Sequence, residues 1–392
     1  MITLRRALAA GLFIALISVC RPGISEAPLP PKDRAAVIRL LPELHLLDPV
    51  WASDTMYRES ATLLTPREGE PAVAHLAFPV DELIAVKAAG GERVLEAGRD
   101  FQVAEDKRTL LISTATKLPF ILEADLFPPT GAPNSYKHRV GKPEQSLLYG
   151  PGHWFHDRQI EVTYRHQPVR WTGAVPQFAE KQLPKTFALL RAGQPLTLGV
   201  SGDSISAGGD ASGVANVPPF MPAFPELVAA QLQASYGGEV TLKNRAVGGW
   251  SIAQGVGDLD KLLAEKPQLI IMAYGMNDVG RRDPAWFKSQ VKLFVDRVSA
   301  TDPKIELILV APMLGHEEWV HTPREMFFAY RDVLTDFTRP GIALADVSAI
   351  WDTLLKTKHD LDLTGNGLNH PNDFGHRLYA QTILGLLVKK GE

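Results

Sequence analysis

Residues 196–206 read LTLGVSGDSIS. Leu196, Leu198 and Val200 form an apolar run suited to a buried strand, and the run stops at Gly202-Asp203-Ser204. A turn of small residues then leads toward a helix. Ser204 is therefore expected at the carboxyl end of a central strand, beside a helix start whose free N–H groups favour developing negative charge. In open α/β sheets, ligands gather at that edge. Gly-Asp-Ser is also a common turn, so the tripeptide alone does not separate a nucleophile from a bend.

Outward from this stretch, apolar strands recur at 239–243, 268–273, 305–311 and 342–346. Helical patterns lie between and after them, near 222–235, 252–265, 284–300, 323–337 and 373–389. Near-continuous apolar strands alternating with helices predict a doubly wound parallel sheet covered on both faces, spanning 196–392. Upstream, after a short helical pattern at 33–48, residues from about Val50 to Pro176 have β character. Short apolar runs at 72–78, 83–86, 101–103 and 110–112 are separated by turns, and the polar 105–108 reads as a hairpin turn. Ile160, Val162 and Tyr164 alternate with Glu161, Thr163 and Arg165, which gives one apolar and one wet strand face. The expected division is an N-terminal all-β sandwich or jelly-roll-like domain over 33–180 and a linker over 181–195, with a short helix from Pro184 to Arg191. The parallel-sheet domain then follows. Loop 128–152 is long enough to help form a site.

The chain has 392 residues, 45% of them hydrophobic and 22% charged, which is ordinary for a soluble globular protein. A net charge of −3 argues against nucleic acid as a partner. Arg5 and Arg6 precede an apolar core at 7–19 that is too short to span a bilayer, and Ser25-Glu26-Ala27 offers small residues for cleavage. Residues 1–27 thus read as a signal peptide for export to the periplasm or the exterior. The single cysteine, Cys20, lies within it, in a context that offers lipoprotein anchoring as an alternative, although bulky Val19 precedes it. Cleavage after Ala27 would leave no cysteine, hence no disulfide or thiol chemistry. No later stretch is long and apolar enough for a stable membrane span.

Three further blocks fall on the edge that holds Ser204: NRAVGGWS at 244–251, YGMND at 274–278 and NHPND at 369–373. With GDS, in this order and spacing, they resemble the SGNH (GDSL-type) hydrolase family, over about residues 196–388. The resemblance implies a flavodoxin-like α/β hydrolase domain and serine esterase chemistry. It implies Ser204 as nucleophile and His370 as the base that takes its proton, since an unassisted hydroxyl is a poor nucleophile at neutral pH. It also implies an oxyanion hole made of the backbone N–H groups of Ser204 and Gly249 and the side-chain amide of Asn277. One departure stands out. The family usually carries an aspartate three residues before the histidine, and here that residue is Gly367. Asp362 is the favoured replacement, with Asn366, Asp360 and Asp373 behind it and a backbone carbonyl as a further possibility.

The domain pair also looks like that of carbohydrate acetyl-esterases, which implies removal of O-acetyl groups from a poly- or oligosaccharide or another small ester. Three alternatives stay open. One is a lipase, lysophospholipase or thioesterase with an acyl channel lined by Phe220, Met221 and Phe224. The others are an O-acetyltransferase and a decayed carbohydrate-binding protein. No cofactor or metal is expected: His153, His156 and Asp157, with His166 nearby, lack a further ligand at recognisable spacing. Asp203 and Asp278 read as turn residues, and His376 as a helix residue facing solvent or the sheet. Loops 207–222 and 313–323 are placed to wall the cleft.

Overall fold

The computed structural model describes residues 34–91, 93–150, 152–167 and 171–389. The expected signal segment and Cys20 lie outside these residues. Helix α1 (Arg34–Leu44) opens the chain and buries Val37, Leu41 and Leu44. Strands β1 (Thr55–Thr62), β2 (Leu64–Thr65), β3 (Ala72–His75), β4 (Val80–Ala88), β5 (Phe101–Val103), β6 (Thr109–Ile112) and β7 (Ile121–Leu122) follow. They are succeeded by β8 (Ser135–Lys137), β9 (Ser146–Leu148) and β10 (Gln159–His166). These strands make an antiparallel sheet β1-β10-β4, a second sheet β5-β6-β3-β2-β7 and the hairpin β8-β9. The wet face expected for β10 is partly closed. Glu161 is buried and takes two hydrogen bonds, of 2.9 and 3.0 Å, from the Arg58 guanidinium.

The stretch expected as a linker contains helix α2 (Pro184–Arg191), which is packed against the molecule, with Thr186, Phe187 and Leu190 buried. Its first N–H groups, at Lys185 and Thr186, donate to the carboxylate of the buried Glu306. This supplies the donors that a helix start leaves unsatisfied. Strand β11 (Leu196–Gly202) then begins the second half, followed by α3 (Ser212–Ala215), α4 (Phe224–Tyr236), β12 (Val240–Asn244), α5 (Ile252–Ala264) and β13 (Leu269–Ala273). The remaining elements are α6 (Pro284–Thr301), β14 (Glu306–Ala311), α7 (Arg324–Thr335), β15 (Ile342–Asp346), α8 (Val347–Leu354), α9 (Asp360–Leu363) and α10 (Asp373–Leu387).

The five strands are all parallel, in the order β12-β11-β13-β14-β15. Every residue of β13 and β14 is buried, as their unbroken apolar runs require of central strands. Strand β12, at the edge, buries only Val240. The order runs outward in opposite directions from β11 and β13, so the crevice at their carboxyl ends is the topological switch point. Ser204 follows β11 and Asn277 follows β13.

From Asp33 onward the chain clusters as one compact unit. Its apolar core is continuous from the N-terminal sheets into the parallel sheet. Helix α10 shows the cost and the solution. It buries Asp373, His376, Arg377 and Gln381 along with its apolar face. Arg377 donates to the carbonyls of Tyr57 and Arg58, and Gln381 to that of His45. Buried polar groups left unpaired cost about 1–3 kcal/mol each, so these bonds offset part of the cost of laying α10 beneath β1.

Candidate active site

Gly202 ends β11 where a Cβ would lie 2.2 Å from Ser206 Oγ and 3.0 Å from the Ala273 carbonyl, so only glycine fits. The chain turns there and delivers Ser204 to the sheet edge. His370 Nε2 lies 2.8 Å from Ser204 Oγ. On the other side of the ring, His370 Nδ1 lies 2.7 Å from Oδ2 of Asp210. A carboxylate only accepts, so Nδ1 carries the proton and Nε2 is left to accept from the serine hydroxyl.

Asp210 is the residue the sequence reasoning missed. The structure does not bring Asp362, the favoured partner, to His370. Its carboxylate instead accepts from the N–H groups of Thr62 (2.7 Å) and His359 (2.9 Å) and faces Lys358 Nζ at 3.7 Å. The other candidates are also occupied elsewhere. Asn366 Oδ1 accepts from the N–H groups of Leu368, Asn369 and His370, and Asp373 accepts from Ser212 N–H. The usual acid position is physically closed. Gly367 has φ +84°, and a Cβ there would lie 2.5 Å from the Phe155 ring and 2.8 Å from the Leu148 carbonyl. Leu148 and Phe155 of the N-terminal region fill the space.

The loop after the serine compensates. Gly209 N–H donates to the Ser204 carbonyl at 2.8 Å, and Asp210 takes the left-handed conformation at φ +59°. A Cβ on Gly209 would lie 2.8 Å from His370 Nδ1, and one on Gly365 would lie 2.5 Å from Asp210 Cβ. Both glycines are needed for so close an approach. His376, expected to face solvent or the sheet, is buried, and its Nε2 lies 3.1 Å from the Gly209 carbonyl. The pair Gly208-Gly209 directly before an aspartate was the available signal.

The remaining predicted residues, Gly249 and Asn277, lie on loops at the same sheet edge as Ser204. Gly249 has φ +77°, and a Cβ on Gly248 would sit 3.9 Å from Ser204 Cβ. Val247 N–H donates to the Gly202 carbonyl at 3.1 Å, which ties this turn to the end of β11. One N–H of the Asn277 amide donates to the Trp250 carbonyl at 3.0 Å, which fixes the amide and leaves its second N–H to donate. Asp278 braces the same loop by accepting from Ile252 N–H at the start of α5 (3.1 Å). Burial lifts its carboxyl to about 6.

His153 and His156, read as weak metal candidates, go to Asp157 (2.7 Å) and to the Pro218 carbonyl (2.8 Å), while His166 stacks on Phe78. Among the described residues, no three His, Cys, Asp or Glu side chains gather to hold a metal ion. No helix among them is long and apolar enough to cross a membrane. A cleft of about 740 Å³ on the open face of β1-β10-β4, lined by Tyr57, Arg58 and Glu161, holds none of the residues around Ser204.

Asp203 is fully buried and accepts from Ile205 N–H at 3.0 Å; burial pushes its carboxyl up to about 7. The unfolded value is about 3.9, so this carboxyl favours the folded state below pH ~4, and that contribution is lost as pH rises toward ~7. Asp203→Asn, which cannot ionise, is therefore expected to gain Tm relative to the wild type between pH 5 and pH 8. A difference in Tm that stays constant with pH would contradict this.

The parallel sheet thus holds a Ser–His–Asp line at its switch point, an arrangement able to activate a serine hydroxyl as a nucleophile. Residues 200–378 match the model of the GDSL-like Lipase/Acylhydrolase family. No curated protein matches the chain. Among solved structures, a two-domain esterase active on acetylated mannans, co-crystallized with mannopentaose, is 21% identical, with 55% of each chain covered and a TM-score of 0.44. The chain thus spans 55% of the length of that relative. A variant of an acetylxylan esterase from Geobacillus stearothermophilus is 21% identical over 50% of this chain and 95% of that one, with a TM-score of 0.41. An α/β hydrolase from the metagenome of Lake Arreo, Spain, is 23% identical over 48% and 93%, with a TM-score of 0.39.

Proposed function

We propose that this protein is an exported serine esterase that removes short acyl groups, acetyl foremost, from carbohydrate hydroxyls. The hydrogen-bonded line Ser204–His370–Asp210 carries the chemistry. Ser204 Oγ attacks the ester carbonyl carbon while His370 Nε2 takes its proton. Asp210 holds Nδ1–H and stabilises the imidazolium that results. The oxyanion accepts from the N–H groups of Ser204 and Gly249 and from the free N–H of the Asn277 amide. Collapse expels the alcohol with the proton returned by His370, leaving acyl-Ser204. Water, deprotonated by the same nitrogen, then releases the acid. Asn277→Ala is expected to lower kcat by about 10²–10³ with little change in KM, as for other single oxyanion donors; steady-state kinetics on one ester would check it.

A short acyl group is favoured by what became of the residues that would line a long channel. Met221 and Phe224 are buried, and Phe224 stacks on Tyr379, so neither is available to an acyl chain. Only Phe220 is exposed. Export rests on the sequence of residues 1–27, and processed protein in the periplasm or medium would support it.

The deciding experiment measures kcat/KM on p-nitrophenyl acetate and octanoate, with Ser204→Ala as the blank. Acetate is expected to exceed octanoate at least tenfold. A preference for octanoate would replace this reading with the long-acyl one. Absence of Ser204-dependent turnover on both esters and on acetylated xylan and mannan would end the esterase reading.

A further inference from the structure

Beside the loops that carry His370 and Asn277 lies a row of aromatic side chains that the acyl chemistry does not use. It is built by two segments far apart in sequence: the hairpin β8-β9 with the residue after it, and loop 313–323. Val140 N–H donates to the Glu318 carbonyl at 2.8 Å and Val320 N–H to the His138 carbonyl at 3.0 Å, so the hairpin's loop and the second segment are joined backbone to backbone. Across this join the rings of Tyr149 and Tyr136 lie 5.4 Å apart, Tyr136 and Trp319 5.3 Å, and Trp319 and His321 5.2 Å, each pair edge to face.

Both ends of the row are tied to catalytic loops. At one end, Gly150 N–H donates to the Asn366 carbonyl at 3.3 Å, and the Asn366 side chain holds His370 N–H. The Tyr149 phenol there is held above its usual range by burial, and next by the charge of Asp210. At the other end, a Cβ on Gly280 would lie 3.0 Å from the His321 carbonyl, two residues beyond Asp278. His316 N–H, in the same loop, donates to the Leu368 carbonyl at 2.7 Å. The row therefore reaches from the loop that carries His370 to the turn that follows Asn277.

Its chemistry is mixed. Tyr136 is 43% exposed and His321 is exposed, while Trp319 is half-buried with its indole nitrogen turned inward. Arg139, beside the row, is spent on Glu318 and Gln145 and lies over the Phe127 ring. Ring faces next to neutral donors and acceptors suit a ligand with apolar C–H faces and hydroxyl edges. We infer that this row seats a pyranose ring of the alcohol half of the ester, so that the N-terminal hairpin supplies part of the substrate site. The inference rests on the carbohydrate esterase reading above and names the residues that would select the sugar.

The test compares two esters by acetate release: ethyl acetate, whose alcohol is too small to reach the row, and acetylated xylan or mannan oligosaccharides. Wild type, Tyr136→Ala and Tyr136→Phe are measured on both. Tyr136→Ala is expected to lose at least tenfold more kcat/KM on the oligosaccharide than on ethyl acetate, mainly through KM, while Tyr136→Phe keeps most of it. Unacetylated oligosaccharide is expected to inhibit ethyl acetate hydrolysis competitively, and at least tenfold more weakly in Tyr136→Ala. Equal losses on the two esters, or unchanged inhibition, would overturn the aromatic seat while leaving the carbohydrate reading intact. A wild type that cleaves ethyl acetate but no acetylated oligosaccharide would overturn both.

Discussion

Asp210→Asn is expected to lower kcat by about 10³–10⁴, with the protein still folded. The carboxylate accepts from His370 Nδ1–H at 2.7 Å and so leaves Nε2 free to take the Ser204 proton. An asparagine amide can present its NH2 to Nδ1, which moves the ring proton to Nε2, where it blocks the transfer. The same substitution also removes the charge that stabilises the imidazolium in the transition state. The side chain of Asp210 is 9% exposed, so little water is at hand to replace it.

Asp362→Asn should show the opposite pattern. Asp362 braces the N–H groups of Thr62 and His359 beside the buried pair of Lys358 and Glu59, and removing one member of such a cluster costs about 3–5 kcal/mol. That variant is expected to lose Tm while keeping kcat within a few fold. Thermal melts and steady-state kinetics on both proteins decide the matter. A slow Asp362→Asn with an unimpaired Asp210→Asn would remove Asp210 from the mechanism.

These two aspartates also mark where the sequence stops being readable. Strands β11, β13 and β14 were legible because a strand buried on both faces must be apolar throughout, and chemistry placed after such strands falls on one edge. The edge positions of Ser204 and Asn277 followed from that, while their roles and that of His370 came from the resemblance of the four blocks to SGNH hydrolases. The partner of His370 did not follow, because it depends on a left-handed turn at Asp210 and on space cleared by Gly209 and Gly365. No local pattern reports that Gly365 faces Asp210 from 155 residues away. His376 misled for a related reason. Amphipathic periodicity says which face is apolar, but not that a second layer of structure will cover the polar face as well. The N-terminal region covers α10 in this way: the Tyr57 and Arg58 carbonyls of β1 accept from Arg377, and the His45 carbonyl after α1 accepts from Gln381.

The same covering makes the last prediction a strong one. Gly367→Asp restores the family's usual acid three residues before His370, and it is expected to damage the protein rather than rescue it. The new Cβ would meet the Phe155 ring at 2.5 Å and the Leu148 carbonyl at 2.8 Å, at a backbone φ of +84° that disfavours any side chain. Phe155 is fully buried in a small apolar cluster with Ile121, Leu148 and Leu361, so it has no open side to yield into. A carboxylate pressed there is desolvated and faces a carbonyl oxygen. Overpacking, strain and an unpaired buried charge together place the cost at about 4–5 kcal/mol or more. Thermal melts should show a fall in Tm of roughly 10 °C, at about 2 °C per kcal/mol for a chain this long. The double variant Asp210→Asn/Gly367→Asp should be no more active than Asp210→Asn alone. A stable Gly367→Asp protein that restores activity to the double variant would show that the usual acid position is open after all. The expected loss instead makes the move of the acid to Asp210 and the seating of Leu148 and Phe155 against His370's loop two halves of one arrangement. Neither half can be reverted without the other.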